Sequence, residues 1–463
     1  MTELNFTGVA EQARLVSEGS ATSAELVDHA IDRIDRLDDR LNSFAYVLRD
    51  EARAEAAVRD ATPAAERGPL HGVPIAIKDE NDVAGFPTAF GGAAFTTPAA
   101  ADSEVVRKLR AAGAVIIGKT RMPEFGIWPW TETSANGYTR NPWNPLRSTA
   151  GSSGGSAAAV ASGMVPGAIG GDGGGSIRLP SSFCGLYGLK CQRGRVSAAP
   201  NRHLWRALGV IGPLTRSVED SALIYDAIAG SLPSDVWQAG PWSMSLSQAC
   251  RTEPGQLRIG YLTRFGANTA DAETLAALAE TVDALREAGH LVSQVRPKLP
   301  EVSVPFLALT SAGVAEEAAR AEHPELLEQR TRTLVALTAP LRGRADWADR
   351  TAVAAGAQFA REYFADYDLL LMPTTPSAAV PVGQLDGANA VSASAKATKA
   401  SGFTSIWNVL GNPAAAIPSG FSSTGLPLSV QVVGPPDGEP LVVQVSAQLE
   451  RLRPWAQVRP AMG

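Results

Sequence analysis

Residues 150–178 read Ala150-GSSGGSAAAVASGMVPGAIGGDGGGSI-Arg178, two glycine–serine clusters flanking a short apolar segment. The first cluster supplies Ser152 and Ser153, and the second supplies Ser176 directly after Gly173-Gly174-Gly175. Glycine lets the backbone take positive φ and lets another group approach closely. Two such clusters so close together predict backbone N–H groups converging on one point with a serine at the focus, the construction of an oxyanion hole.

The texture on either side of this stretch predicts an α/β protein. Residues 8–60 carry helical periodicity, with Ser23 placed to cap a helix whose face holds Leu26, Ala30, Ile34 and Leu37. From Leu70 short β-rich runs alternate with helical ones: 71–78, a helix at 103–112, then Ala114–Ile117. Ser217–Asp220 has the pattern of a capping box opening a helix through Ile228. Residues 231–256 read as a polar surface connection, 257–262 as a strand, and 270–288 and 310–366 as helical. Leu369–Met372 reads as a buried strand, followed by strands at 413–418 and 427–433 and a helix at 439–452. No linker divides the 463 residues. The expectation is one large domain, a mixed sheet covered by helices on both faces, with residues 1–65 as N-terminal helices and 300–365 as a helical cap over a pocket.

Composition narrows the function classes. Apolar residues make up 45% and charged residues 19%, and the net charge is −6 with dispersed basic residues, so no nucleic-acid or anionic-membrane footprint is present. Three cysteines and five scattered histidines form neither a disulfide framework nor a zinc pattern, and no metal or cofactor is expected. The N-terminal segment has no signal-peptide pattern and no apolar run is long enough to span a membrane, which predicts a cytoplasmic protein.

Three motifs compete for the chemistry. Gly113–Thr120 fits G-x-x-x-x-G-K-[ST], but its intervening Ala-Val-Ile-Ile is strand material rather than an open phosphate loop. Gly151–Gly155 fits G-x-S-x-G, yet the turn-rich Asn141–Pro145 precedes it where a nucleophile elbow needs a strand. The third combines Lys78, at the end of the apolar run 73–78, with both serine clusters. Such a lysine is either a strand-end charge, reaching solvent or pairing with Asp79, or a base made neutral by desolvation.

Taken together these residues resemble the amidase signature hydrolases. The likeness runs through Thr22–Leu26, Leu70–Asp79, Gly118–Thr120, Glu124-Phe125-Gly126, Asn141–Trp143, Gly151–Leu189, Gly194–Ser197, Gly212–Arg216 and Phe403–Ala414. Lys78 precedes Ser152 by 74 positions, and Ser152 precedes Ser176 by 24.

The resemblance implies an amidase with a Ser–cis-Ser–Lys triad: Ser176 the nucleophile, Ser152 the bridge on a non-proline cis bond, Lys78 the base. It implies a covalent acyl-enzyme and an oxyanion hole from the N–H groups of Gly173, Gly174, Gly175 and Ser176. Ser153 reads as a loop hydrogen bonder, Asp172 as either an orienter of the loop or an ordinary Asx-turn, Arg178 as a brace, and Cys184 as a buried apolar residue. Phe125, Gly126, Trp128, Trp130 and Trp205 are either core or pocket lining. As pocket lining, they predict hydrophobic or aryl amides as substrates, with extension to esters and carbamates (urethanase and esterase activity), in a monomer or homodimer. The alternative within the same family is an amidotransferase subunit acting on charged tRNA in a complex. The sequence departs from the family's usual pattern at Gly171, where a hydroxyl-bearing residue is usual, at Thr149-Ala150, and at Cys191-Gln192-Arg193; Gly171 puts the rigidity of the serine loop in doubt.

Overall fold

The computed structural model describes residues 4–462. Its frame is one sheet of eleven strands, here β1 (Phe44–Val47), β2 (Pro74–Lys78), β3 (Val115–Thr120), β4 (Gly167–Asp172), β5 (Tyr187–Lys190), β6 (Val210–Thr215), β7 (Arg258–Tyr261), β8 (Leu291–Gln294), β9 (Leu369–Pro373), β10 (Ala414–Phe421) and β11 (Pro427–Val433). Across the sheet they run β1-β3-β2-β4-β6-β5-β10-β11-β9-β7-β8. The pairs β3/β2, β2/β4, β9/β7 and β7/β8 are parallel and the others antiparallel. The sheet is therefore mixed, as the sequence predicted.

Side chains alternate across a strand, and the core follows that period. Ile75 and Ile77 of β2, Ile116 of β3 and Ile169 of β4 join one apolar cluster, while Ala76, Val115, Ile117 and Ala168 join a second on the opposite face. In the other half of the sheet Leu369 and Leu371 continue the first cluster, and Leu370 and Met372 enter a third. Helices Glu104–Ala111, Val218–Ile228, Ala272–Glu287 and Glu439–Leu452 cover the first face. Helices Ser23–Leu41, Arg49–Asp60 and Gly154–Ala161 cover the second face, and Ser303–Ala318, Ala345–Tyr363 and Ser405–Leu410 pack into the third cluster. Burial on both faces makes β2, β3 and β9 read as near-continuous apolar runs, whereas β4, β5 and β6 are interrupted by glycine and proline. Among the described residues no helix is long and apolar enough to cross a membrane.

Several local expectations need correction. The cap of helix Ser23–Leu41 is Thr22, in a capping box with Glu25, and Ser23 is its first helical residue. Ser217 does accept from the Asp220 N–H, but the Asp220 carboxylate does not close the box: it accepts from Ala10 N at 2.8 Å, at the start of helix Val9–Ser17. Residues 231–256 are not all surface, since Leu246 and Ala249 of helix Leu246–Cys250 are buried. The sequence pattern does not reveal β1 or β8, the two edges of the sheet, nor β4, β5 and β6 near its centre. Leu291 in β8 is 57% exposed, so an edge strand there carries no apolar run to detect.

Candidate active site

The site forms where the parallel neighbours β2 and β4, third and fourth across the sheet, both end. Lys78 closes β2, and the chain turns at once, Glu80 N donating to Lys78 O at 2.7 Å. Lys78 is 1% exposed. Its Nζ donates to Ser152 Oγ at 2.7 Å, lies 3.4 Å from Gly171 O, and has Glu80 Oε2 at 3.2 Å. The Gly151–Ser152 peptide bond is cis. Burial pushes the Lys78 pKa down, and the carboxylates of Glu80 and Asp172 oppose that shift without reversing it. Asp79 is not the partner of Lys78: it pairs with buried Lys119 at 2.9 Å. That pair also accounts for the lysine of the phosphate-loop pattern, which sits inside β3 and donates to Thr88 Oγ1 and Pro87 O.

After β4, residues 173–177 form a loop into helix Arg178–Cys184, and the fully buried Asp172 organises it. Its Oδ1 accepts from Gly175 N at 2.7 Å, and its Oδ2 accepts from Ile177 N at 3.1 Å. Arg178, also fully buried, donates to both carboxylate oxygens at 3.0 Å and to Thr404 O, Gln431 Oε1 and Asn408 Oδ1. Burial alone would raise the Asp172 carboxyl; Arg178, with Lys190 and Asn408, overcomes it and holds the group well below the usual carboxylate range. Asp172 therefore bonds both the loop N–H groups and the Arg178 guanidinium, so the contacts around it go beyond those of an isolated Asx-turn. The expected set of oxyanion donors loses one member, because the Gly175 N–H is already spent on Asp172. Gly173, Gly174 and Ser176 are left as candidates.

Ser153 binds the loop as expected, its Oγ donating to Gly171 O at 3.1 Å and its N–H to Ser176 O at 3.2 Å. Its engagement removes it as an elbow nucleophile, and the hairpin Arg140–Asn141/Asn144–Ser148 stands where a strand of the main sheet would be needed. Burial pushes the Cys184 thiol up, which keeps it unreactive. At Gly171 the missing side chain does not leave a gap: a Cβ there would lie 1.9 Å from Glu80 Oε1.

Lys78, Ser152 and Ser176 line one cavity with Phe125, Gly126, Leu204 and Trp205. The enclosed free space beside the serines is about 10 Å³, room for roughly one water. Gly126 has φ +69°, and a Cβ there would come within 3.0 Å of Ser152 Oγ. Two of the tryptophans do not belong to this cavity. Trp128 is 2% exposed and stacks under the Arg330 guanidinium, 5.8 Å from the ring centre. Trp130 lines a separate apolar cavity of about 310 Å³ with Leu179, Phe183 and Val380. Helix Ser303–Ala318, in the segment expected as a cap, brings Phe306 within 3.3 Å of where a Gly174 Cβ would be. Phe306, Leu204, Glu80, Thr404, Asn408 and Gln431 were not foreseen. Only Glu80 had a local signal, a second carboxylate two residues after the lysine.

Residues 25–443 match the family model described as Amidase. The chain belongs to the amidase signature family. As such an amidase it is an amide-hydrolysing enzyme. It is 42% identical to AmiB2 of Mycobacterium tuberculosis over all of this chain and 99% of that one. Among solved structures, 6-aminohexanoate cyclic dimer hydrolase complexed with substrate superposes with a TM-score of 0.92 at 32% identity, covering 99% of each chain. A bacterial aryl acylamidase of the amidase signature family superposes at 0.87 with 26% identity, covering 98% of each chain.

Proposed function

We propose that this amidase cleaves a carboxylic amide through Lys78, Ser152 and Ser176, by way of an acyl-enzyme on Ser176. The observation that carries the reading is the 2.7 Å hydrogen bond between Lys78 Nζ and Ser152 Oγ, buried at the wall of the cavity that Ser176 lines. A lysine with its pKa lowered by burial is a competent base, and a hydroxyl between base and nucleophile relays the proton. Lys78 takes the proton of Ser152 as Ser152 takes that of Ser176, whose Oγ attacks the carbonyl carbon. The N–H groups of Gly173, Gly174 and Ser176 receive the developing oxyanion. The relay then runs backward, protonating the leaving nitrogen as the C–N bond breaks. Water, activated along the same path, hydrolyses the ester on Ser176 and restores the three residues.

Phe125, Leu204 and Trp205 make the wall beside the serines apolar and aromatic, which supports hydrophobic or aryl amides as substrates. The likeness to an aryl acylamidase is in line with that preference. Aryl esters and carbamates present the same carbonyl to the same nucleophile and are expected as slower substrates. The test is a panel of an anilide, a small aliphatic amide, an aryl ester and an aryl carbamate, run on wild type and Ser176→Ala. The anilide is expected to turn over fastest and the variant to lose activity on every member. Fastest turnover of the small amide would overturn the substrate assignment, and undiminished activity of Ser176→Ala would overturn the mechanism.

A further inference from the structure

Lys78 Nζ is ringed by three acceptors: Ser152 Oγ at 2.7 Å, Glu80 Oε2 at 3.2 Å and Gly171 O at 3.4 Å. An ammonium has three N–H donors, so this ring fits the protonated form and one carboxylate faces it. The Glu80 side chain is 7% exposed, lines the catalytic cavity, and keeps its other oxygen, Oε1, without a hydrogen-bond partner. That oxygen occupies the space above Gly171, 1.9 Å from where a Cβ would stand. Gly171 lies in β4 and its φ is not in the left-handed region, so what the position requires of glycine is room, not backbone freedom. A side chain at 171 and Glu80 in its present place exclude each other.

We propose that Glu80 is a positioning residue for the relay: seated over Gly171, it holds the Lys78 amine against Ser152 and stabilises the ammonium formed each time the relay delivers a proton. The inference rests on the triad reading above. In each turnover the Ser176 hydroxyl proton passes to Ser152, and the Ser152 proton passes to Lys78. The new positive charge appears 3.2 Å from a carboxylate inside a desolvated site, where such an interaction is strongest. The same proton returns to the leaving nitrogen, so no other reactant is needed.

The remaining charges around the pair are already matched. Asp172 pairs with Arg178 at 3.0 Å, Asp79 with Lys119 at 2.9 Å, and Glu317 of the overlying helix with Arg320 at 3.4 Å. Asp82, in the turn after Glu80, accepts from Thr88 Oγ1. Burial pushes the Glu317 carboxyl up, Arg320 opposes, and Glu316, Glu80 and Asp82 add to the rise. Among the described residues Glu80 therefore supplies the one carboxylate in direct contact with Lys78, and it raises the pH at which Lys78 becomes a free base.

The test is the pH dependence of kcat and kcat/KM for the full chain on its fastest amide, in Glu80→Gln, Glu80→Asp, Glu80→Ala, Gly171→Ala and Glu80→Ala/Gly171→Ala, with thermal melts of each. Glu80→Gln is expected to lower kcat roughly tenfold or more with KM changed less than about threefold, and to move the acid limb down by about one pH unit or more. Glu80→Asp should keep the limb within about half a unit. Gly171→Ala, which displaces Glu80, should shift the limb in the same direction, whereas adding it to Glu80→Ala should cost less than about twofold. Should Glu80→Gln not fold, Glu80→Ala and Gly171→Ala carry the same readout. An unmoved acid limb, or a Gly171→Ala loss as large without Glu80 as with it, would overturn the proposal. Full activity in Ser176→Ala would instead overturn the triad reading beneath it.

Discussion

Arg178→Met removes a guanidinium that makes five buried hydrogen bonds, two to Asp172 and one each to Thr404, Gln431 and Asn408. Methionine roughly fills the volume but leaves the Asp172 carboxylate fully buried with backbone N–H groups and Asn408 as its only close partners. Breaking one side of a buried ion pair costs about 3–5 kcal/mol. Unfolding entropy of about 2.1 cal/mol/K per residue gives roughly 1 kcal/mol/K for a chain of 463 residues. The expected fall in Tm at pH 7 is therefore about 3–5 °C, read by scanning calorimetry. The sign with pH follows from Asp172, whose pKa is depressed in the folded wild type. Its contribution is present above the unfolded carboxylate pKa of about 3.9 and is lost as pH falls through the folded value. The gap between wild type and variant should narrow below about pH 4. A variant melting within about 1 °C of wild type at pH 7 would refute the reasoning.

Gly175→Ala forces a Cβ to 2.4 Å from Thr404 Oγ1 at φ +133°, so a loss of roughly 1–3 kcal/mol in stability is expected by calorimetry, with at least about tenfold lower kcat. Trp205→Ala removes the aromatic roof beside Gly173; kcat/KM for an anilide should fall roughly tenfold and that for a small aliphatic amide less than about threefold, measured side by side. Burial raises Asp220 to about 6. A raised carboxyl binds more protons folded than unfolded, so wild type should lose stability relative to Asp220→Asn as pH rises from about 4 to about 6, by roughly 3 kcal/mol in denaturant titrations.

The glycine–serine stretch and the lysine strand were legible because their constraints are local. Glycine is the residue that fits the loop after Asp172, and an apolar run ending in lysine announces a buried strand end. The mixed sheet with helices on both faces was legible from strands such as Pro74–Lys78, Val115–Thr120 and Leu369–Pro373, which are buried on both sides and read as near-continuous apolar runs. The central strands Gly167–Asp172, Tyr187–Lys190 and Val210–Thr215, broken by glycine and proline, were not marked. The edge strands Phe44–Val47 and Leu291–Gln294 were not either: the second is mostly exposed and carries no apolar run, and the first is only four residues long between two helices. Other failures came from contacts between residues distant in the chain. Nothing near Trp128 announces Arg330 above its ring. The Gly175 N–H is a different case, since its acceptor Asp172 lies only three residues away and the sequence left open whether that carboxylate turned inward to the loop. Gly171 shows the limit most directly. Its missing side chain looked like a weakness of the loop, and the reason for it lies ninety-one positions earlier, in the Glu80 carboxylate that fills the space.

The most direct measurement is the site of acylation. Wild type is mixed with an activated aryl ester or a fluorophosphonate, quenched early, and mapped by peptide mass spectrometry. The account predicts a covalent adduct on Ser176, abolished by Ser176→Ala and slowed strongly by Lys78→Ala. An adduct on Ser152 or Ser153, or amide turnover by Ser176→Ala at the wild-type rate, would contradict it.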